Sequence, residues 1–284
     1  MEIINRKQRM FSISRKLRRD SKTVGFVATM GSLHDGHISL VKEARQRSDV
    51  VIVSIFVNPK QFNDDGDLQA YPRDLTRDAA LLAEYEVDYV FAPEGEEIYP
   101  EGFSTYVEVE GLTDRYEGES RPGHFRGVAT VVTILLNTVR PDYAFFGQKD
   151  AQQLAMIRRL AVDLGFETEI VTVPTVREGS GLAMSSRNEL LSDEERQKAS
   201  IIIEALREAK TAFKKGERNA SDLTQMVSKR IEEEPSAQLD YVAVVDRESF
   251  QPIEKIGDTE ALIITAAHLG KIRLIDNVIL NRKQ

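Results

Sequence analysis

Two histidines three residues apart, in the run TMGSLHDGH (Thr29 to His37), have the spacing in this sequence most suggestive of chemistry. Residues three apart share a face of a helix, so His34 and His37 would stand together if a helix opens here. The first turn of a helix carries unpaired N–H groups and the positive end of the helix dipole, which suits phosphate. Two imidazoles at that turn can donate hydrogen bonds to phosphoryl oxygens. Gly31 permits a tight turn ahead of the helix, and Gly36 lets the backbone approach a ligand. A role as a helix cap or turn-lining residue accounts equally well for either histidine alone. Zinc is a poorer account, because the chain has no cysteine and only four histidines.

Three further segments carry chemistry-bearing residues. In FFGQKDAQQ (Phe145 to Gln153), Lys149 stands just before an expected helix, where its charge opposes the dipole unless an anion intervenes. Asp150 and Gln153 also read as an N-cap and its capping-box partner. In FVNPKQF (Phe56 to Phe62), Asn58-Pro59 is a turn signal followed by Gln61 and Phe62. In GLAMSSRN, the consecutive groups Ser185, Ser186 and Arg187 suit an anion, or a solvated linker.

The elements that must position these residues alternate in type up to about residue 175. TVGFVATM, VVIVSIFV, VDYVFAP, YAFFG and TEIVTVP read as strands. Segments of helical period separate them, which argues for βαβ units and a parallel sheet. In a doubly wound order, ligands bind at the carboxyl ends of the strands where the order reverses. That places TMGSLHDGH and FFGQKDAQQ at the reversal, with FVNPKQF beside them. Residues 93–126 break the rhythm, with one short strand expected in STYVEVEGL. Beyond Pro174 the pattern changes. A capping box at Ser192 and Glu195 opens a helix that should run to Gly216. A second helix is expected from about Ser221 to Glu234, followed by strands in LDYVAVVD, EALIITAAHLG and KIRLIDNVIL. The expected fold is α/β, a doubly wound parallel sheet over 1–175 with a smaller α+β domain over 176–284.

Composition excludes several classes. A chain of 284 residues, 41% hydrophobic and 30% charged, is globular and long enough for two domains. The lack of cysteine rules out disulfides, thiolate metal sites and cysteine nucleophiles, and fits a cytoplasmic location. No run approaches the ~18 apolar residues of a membrane span, and the N-terminal segment has no apolar core of signal-peptide type. A net charge of −8 disfavours nucleic acid, whose phosphates need clustered Lys and Arg.

Taken together, these motifs resemble those of a known family. His34 to His37 looks like the H-x-G-H signature of adenylyl-transferring nucleotidyltransferases, which carry a Rossmann-like sheet. Met184 to Arg187 looks like a variant of their second signature, with Ala183 and Ser186 where lysines are often found. Adding SIFVNPKQF, YPRD, RPGHFRGV and FFGQKDAQQL, the resemblance narrows to the pantoate–β-alanine ligase family. It implies amide synthesis from pantoate and β-alanine at the expense of ATP, through an acyl adenylate. By the family pattern Met30, Gly31, Ser32, Leu33, His34, Asp35, Gly36 and His37 would bind ATP. Gly147, Gln148, Lys149, Asp150, Val176, Met184, Ser185, Ser186 and Arg187 would bind it too. His37, His34, Lys149 and Arg187 would be catalytic, with His37 as proton donor. Gln61, Gln153, Asn58, Met30 and Phe62 would hold pantoate, and Glu117 and Arg121 the β-alanine end. Magnesium would bridge the phosphates and Asp78, and a homodimer is implied. Another nucleotidyltransferase, or a nucleotide sensor without turnover, remains as an alternative from the residues alone.

Overall fold

The β-branched run Val50–Ile55 is buried along almost its whole length, as a strand covered on both faces must be. It is a central strand in a computed structural model that describes residues 1–281, apart from the side chains of Asp65 and Asp67. The chain divides into two compact units: 1–148 with 156–174, and 149–155 with everything from Thr175 onward. Through residue 174 the elements in chain order are β1 (Glu2–Ile4), α1 (Lys7–Arg19), β2 (Val24–Thr29), α2 (Asp35–Arg47), β3 (Val50–Ile55), α3 (Asp65–Ala70), α4 (Leu75–Glu84), β4 (Tyr89–Phe91), α5 (Gly95–Ile98), α6 (Glu117–Ser120), α7 (His124–Val139), β5 (Tyr143–Gly147), α8 (Ala151–Asp163) and β6 (Glu169–Val173).

In the first unit the strands form one parallel sheet in the order β1-β4-β3-β2-β5-β6. The order reverses between β2 and β5, so the turns leaving those two strands start side by side. This is the doubly wound arrangement the motifs required. One face of the sheet packs Val27, Val51, Val53 and Phe145 against Ile38, Val41 and Ala44 of α2. Two local expectations differ. The edge strand β1 was not anticipated, because three residues with only Ile4 buried show no periodicity. STYVEVEGL forms no strand: the Val107 N–H bonds the Thr130 hydroxyl at 3.0 Å instead of a neighbouring strand. Alternation without a pairing edge does not make a sheet.

The second unit adds α9 (Asp193–Lys198), α10 (Ser200–Lys214), α11 (Ala220–Glu232), β7 (Ala237–Asp246), β8 (Ala261–Leu269) and β9 (Ile272–Leu280). The three strands form an antiparallel sheet. Leu206, Phe213, Leu223 and Val227 from the helices pack with Ile263 and Leu274 from the strands. The Ser192–Glu195 capping box forms as expected. The helix does not run on to Gly216 uninterrupted; it breaks at fully buried Ala199 and restarts as α10.

Candidate active site

The first unit carries the histidine pair on the turn from β2 into α2. Gly31 (φ +84°) and Ser32 (φ +51°) are both left-handed, which folds the chain tightly back after Thr29. His34 is then the N-cap of α2. Its Nδ1 accepts from the Gly36 N–H at 3.1 Å, while the His34 N–H bonds Nδ1 of His37 at 3.3 Å. This is a capping box built from two histidines. It joins the two roles that the spacing left open, because the rings cap the helix and still have chemistry to offer. A neutral imidazole whose Nδ1 accepts must carry its proton on Nε2. Each ring is thus set as an Nε2–H donor, and the ring centroids lie 4.1 Å apart.

The same turn involves three of the expected site residues. Asp78, expected to bind magnesium, lies in α4 and is only 1% exposed. Its two carboxylate oxygens accept from the Ser32 N–H at 2.9 Å and the Leu33 N–H at 3.0 Å. Among the described residues no group of three or more His, Cys, Asp or Glu could hold a metal ion. Each oxygen of Asp78 holds one backbone N–H and the side chain is sealed from solvent, an environment that suits a structural role better than a metal site. Ser32 and Leu33, expected among the ATP contacts, give their N–H groups to Asp78, and Leu33 is buried in the core at 2% exposure.

Asn58, Gln61, Met30 and Phe62 also come together in this unit. Asn58 is 1% exposed and is the hub of the cluster. Its Nδ2 donates to Gln61 Oε1 at 2.9 Å and to the Gly127 carbonyl at 3.1 Å, while Oδ1 accepts from the Tyr99 hydroxyl at 2.7 Å. Gln61 Nε2 in turn reaches Met30 Sδ at 3.2 Å. Asn58 therefore orients Gln61 from a buried position. A Cβ at Gly127 would collide with the Lys60 carbonyl, so only glycine lets α7 approach this turn so closely. His124 Nδ1 lies 2.9 Å from the Gln61 carbonyl oxygen, and His124 Nε2 lies 3.2 Å from Arg121 Nη1. Burial pushes the Tyr99 phenol well above its ordinary pKa, so it stays protonated and donating.

The second unit carries the expected cationic residues. Lys149 Nζ pairs with Asp150 Oδ1 at 3.4 Å, and the Lys149 carbonyl accepts from Asn277 Nδ2 at 3.0 Å. Gln153 is half-buried on the first turn of α8. Val176 and Met184 face each other in a hairpin, Met184 N to Val176 O at 3.0 Å. Arg177 braces that hairpin through a two-pronged ion pair with buried Asp276, at 2.6 and 2.9 Å. The Ser185 hydroxyl accepts from the Arg187 N–H at 3.3 Å and starts a single 3-10 turn, Ser186–Leu190. Buried Asn188 ties that turn to Glu178 at 2.7 Å and to the Ala183 carbonyl at 3.0 Å. Arg187 itself is exposed.

Tyr99, Arg177, Asn188, Asp276 and Asn277 were not singled out in the sequence. Except for Asn188, which follows MSSR directly, their partners lie 41 to 128 residues away, or only a few residues away in a hairpin whose shape no spacing reveals.

A parallel sheet with an H-x-G-H turn at its reversal point, the two histidines capping the helix that follows, is the arrangement the nucleotidyltransferase resemblance called for. The model of the Pantoate-beta-alanine ligase family matches residues 2–279, and the chain belongs to that family. A pantothenate synthetase of Pelotomaculum thermopropionicum is 52% identical over 268 residues, covering 94% of this chain and 95% of the relative. A crystal structure of pantoate-beta-alanine ligase (pantothenate synthetase) from Thermus thermophilus aligns with a TM-score of 0.93 at 44% identity, over 99% of this chain and 100% of that one. A Francisella tularensis pantoate-beta-alanine ligase, complexed with beta-gamma ATP and beta-alanine, aligns with a TM-score of 0.80 at 38% identity, over 98% of this chain and 97% of that one.

Proposed function

We propose that the histidine capping box is the catalytic device of this ligase, which condenses pantoate with β-alanine at the expense of ATP. In the first step a pantoate carboxylate oxygen attacks the α-phosphorus. The bond from that phosphorus to the bridging oxygen breaks, and pyrophosphate leaves with the electron pair. In the second step the β-alanine amine attacks the acyl carbon, AMP departs, and the nitrogen loses a proton. The first step demands positioning and neutralisation of charge more than covalent help. The Nε2–H groups of His34 and His37 supply two donors fixed before ATP arrives, so no reorganisation is needed as charge develops.

The remaining roles follow by chemistry. Lys149 and Arg187 neutralise phosphate charge, and Ser185 and Ser186 add hydroxyl donors. Asp150 accepts from the ribose, while Gly147, Gln148, Val176 and Met184 line the nucleotide. Gln61, held by Asn58, and Gln153 bind pantoate, with Met30 and Phe62 against its methyl groups. Magnesium, when bound with ATP, would neutralise part of the triphosphate charge. The domain boundary near residue 175, a homodimeric assembly and a cytoplasmic location belong to the same reading. Among the described residues no helix is long and apolar enough to cross a membrane.

The observation that carries this reading is the pair of Nδ1 acceptors, because it fixes which ring nitrogens donate. The test is exchange of labelled pyrophosphate into ATP by the purified protein. Exchange that needs pantoate but not β-alanine is expected, with AMP and pantothenate formed once β-alanine is added. Exchange without pantoate, or ADP as product, overturns it.

A further inference from the structure

We infer that Asp78 is a positioning residue that sets the His34–His37 pair in place, and that it is not a metal ligand. One carboxylate takes two consecutive backbone N–H groups, Ser32 on Oδ2 at 2.9 Å and Leu33 on Oδ1 at 3.0 Å. It reaches them from α4, more than forty residues along the chain. The residues it holds are those the chain adopts least willingly. Ser32 is left-handed at φ +51° although it has a side chain. Gly31 is left-handed at φ +84°, and a Cβ there would lie 3.0 Å from Asp78 Oδ2 and 3.2 Å from Ile55 Cγ2. Glycine is therefore what lets the carboxylate come so near.

His34 follows this turn directly, and His37 is tied to His34 by the capping box. A shift of Leu33 carries both rings with it. Asp78 thus aims both donors while touching neither. Without the carboxylate, two buried N–H groups lose their acceptors and the left-handed Ser32 loses what compensates its conformation. Asp78 is only 1% exposed, so a metal ion would reach these oxygens only if the turn they hold opened. The two roles therefore compete, and the geometry favours the backbone.

The inference rests on the adenylation reading for what the histidines do, and on geometry alone for how they are held. Asp78→Asn keeps the shape but turns an amide NH2 toward one of the two N–H donors. Asp78→Glu keeps the charge and remains able to bind a metal, but its added methylene moves the carboxylate off the turn. Four quantities are measured on both variants: the rate of pantoate-dependent pyrophosphate exchange, the KM for pantoate, the magnesium concentration giving half that rate, and hydrogen exchange of the Ser32 and Leu33 amides in protein free of nucleotide and metal. Both variants should lose exchange rate by about 100-fold, the cost typical of an ångström-scale misplacement. The half-saturating magnesium concentration and the KM for pantoate should stay as in the wild type, and the two amides should lose protection. A raised magnesium requirement with rescue by excess magnesium overturns the inference. So does a wild-type rate in Asp78→Glu, or retained amide protection in either variant. Should Asp78→Asn not fold, Asp78→Glu carries the test. If the wild type itself shows no pantoate-dependent exchange, the adenylation reading fails, while the amide measurement still decides whether Asp78 holds the turn.

Discussion

His37 does two things with one ring. Nδ1 closes the start of α2, which leaves the ring proton on Nε2. The two functions separate by substitution. His37→Ala removes both, so it should lose melting temperature as well as rate. His37→Gln restores an acceptor at the third helical position, where Gln is a normal capping-box residue, but not the imidazole donor. Turnover at saturating ATP should fall about 100- to 1000-fold in both variants, the usual cost of a donor aimed at developing charge. Melting temperature should recover only in His37→Gln. If His37→Gln also recovers turnover, the ring is a cap and nothing more. At this scale the local geometry was legible, since two histidines three apart in a glycine-flanked turn already suggested paired rings at a helix start. What the spacing did not show is that the rings bond to each other's backbone, which is what decides the tautomer.

Three elements meet at Asn58. The end of α5 sends the Tyr99 hydroxyl, α7 offers the Gly127 carbonyl, and the Pro59–Gln61 turn supplies Gln61. Tyr99→Phe removes the shorter of two hydrogen bonds to Asn58 Oδ1 and leaves only the Lys60 N–H at 3.3 Å, at a cost of about 0.5–1.5 kcal/mol. Gln61 is then held less firmly. The KM for pantoate should rise while the KM for ATP stays as in the wild type, and steady-state kinetics with each substrate varied checks it. Equal changes in both constants would mean that Tyr99 supports the fold generally. The Asn58-Pro59 turn and Gln61 were visible in the sequence, and so was Gly127 within RPGHFRGV. Tyr99 was not. It follows Ile98 in an irregular stretch without periodicity, and its role exists only because α5 ends beside the turn. The Ser192 capping box was legible for the opposite reason, since both partners lie within one helical turn.

For the whole molecule, the order of the two steps follows from the reactivity of the carboxylate, which must be activated before an amine can displace anything from it. Oxygen-18 in the pantoate carboxylate should therefore end up in AMP, one labelled oxygen per molecule, as measured by mass spectrometry of the products. Label in inorganic phosphate would mean an acyl phosphate, and the roles of His37, Lys149 and Arg187 would have to be reassigned. The sequence by itself determined what is local or periodic: the β-branched strands, the helices between them, and the motifs at the strand ends. These depend on residues a few positions apart. Only the tertiary structure decided which polar groups are spent inside the protein. Nothing in the sequence around Asp78 shows that its oxygens accept from the Ser32 and Leu33 N–H groups. Arg177, Asp276 and Asn277 carried no signal at all until Arg177 and Asp276 were found paired across 99 residues and Asn277 was found on the Lys149 carbonyl. A buried polar group must find a partner wherever the fold provides one, and that partner is set by how the elements pack.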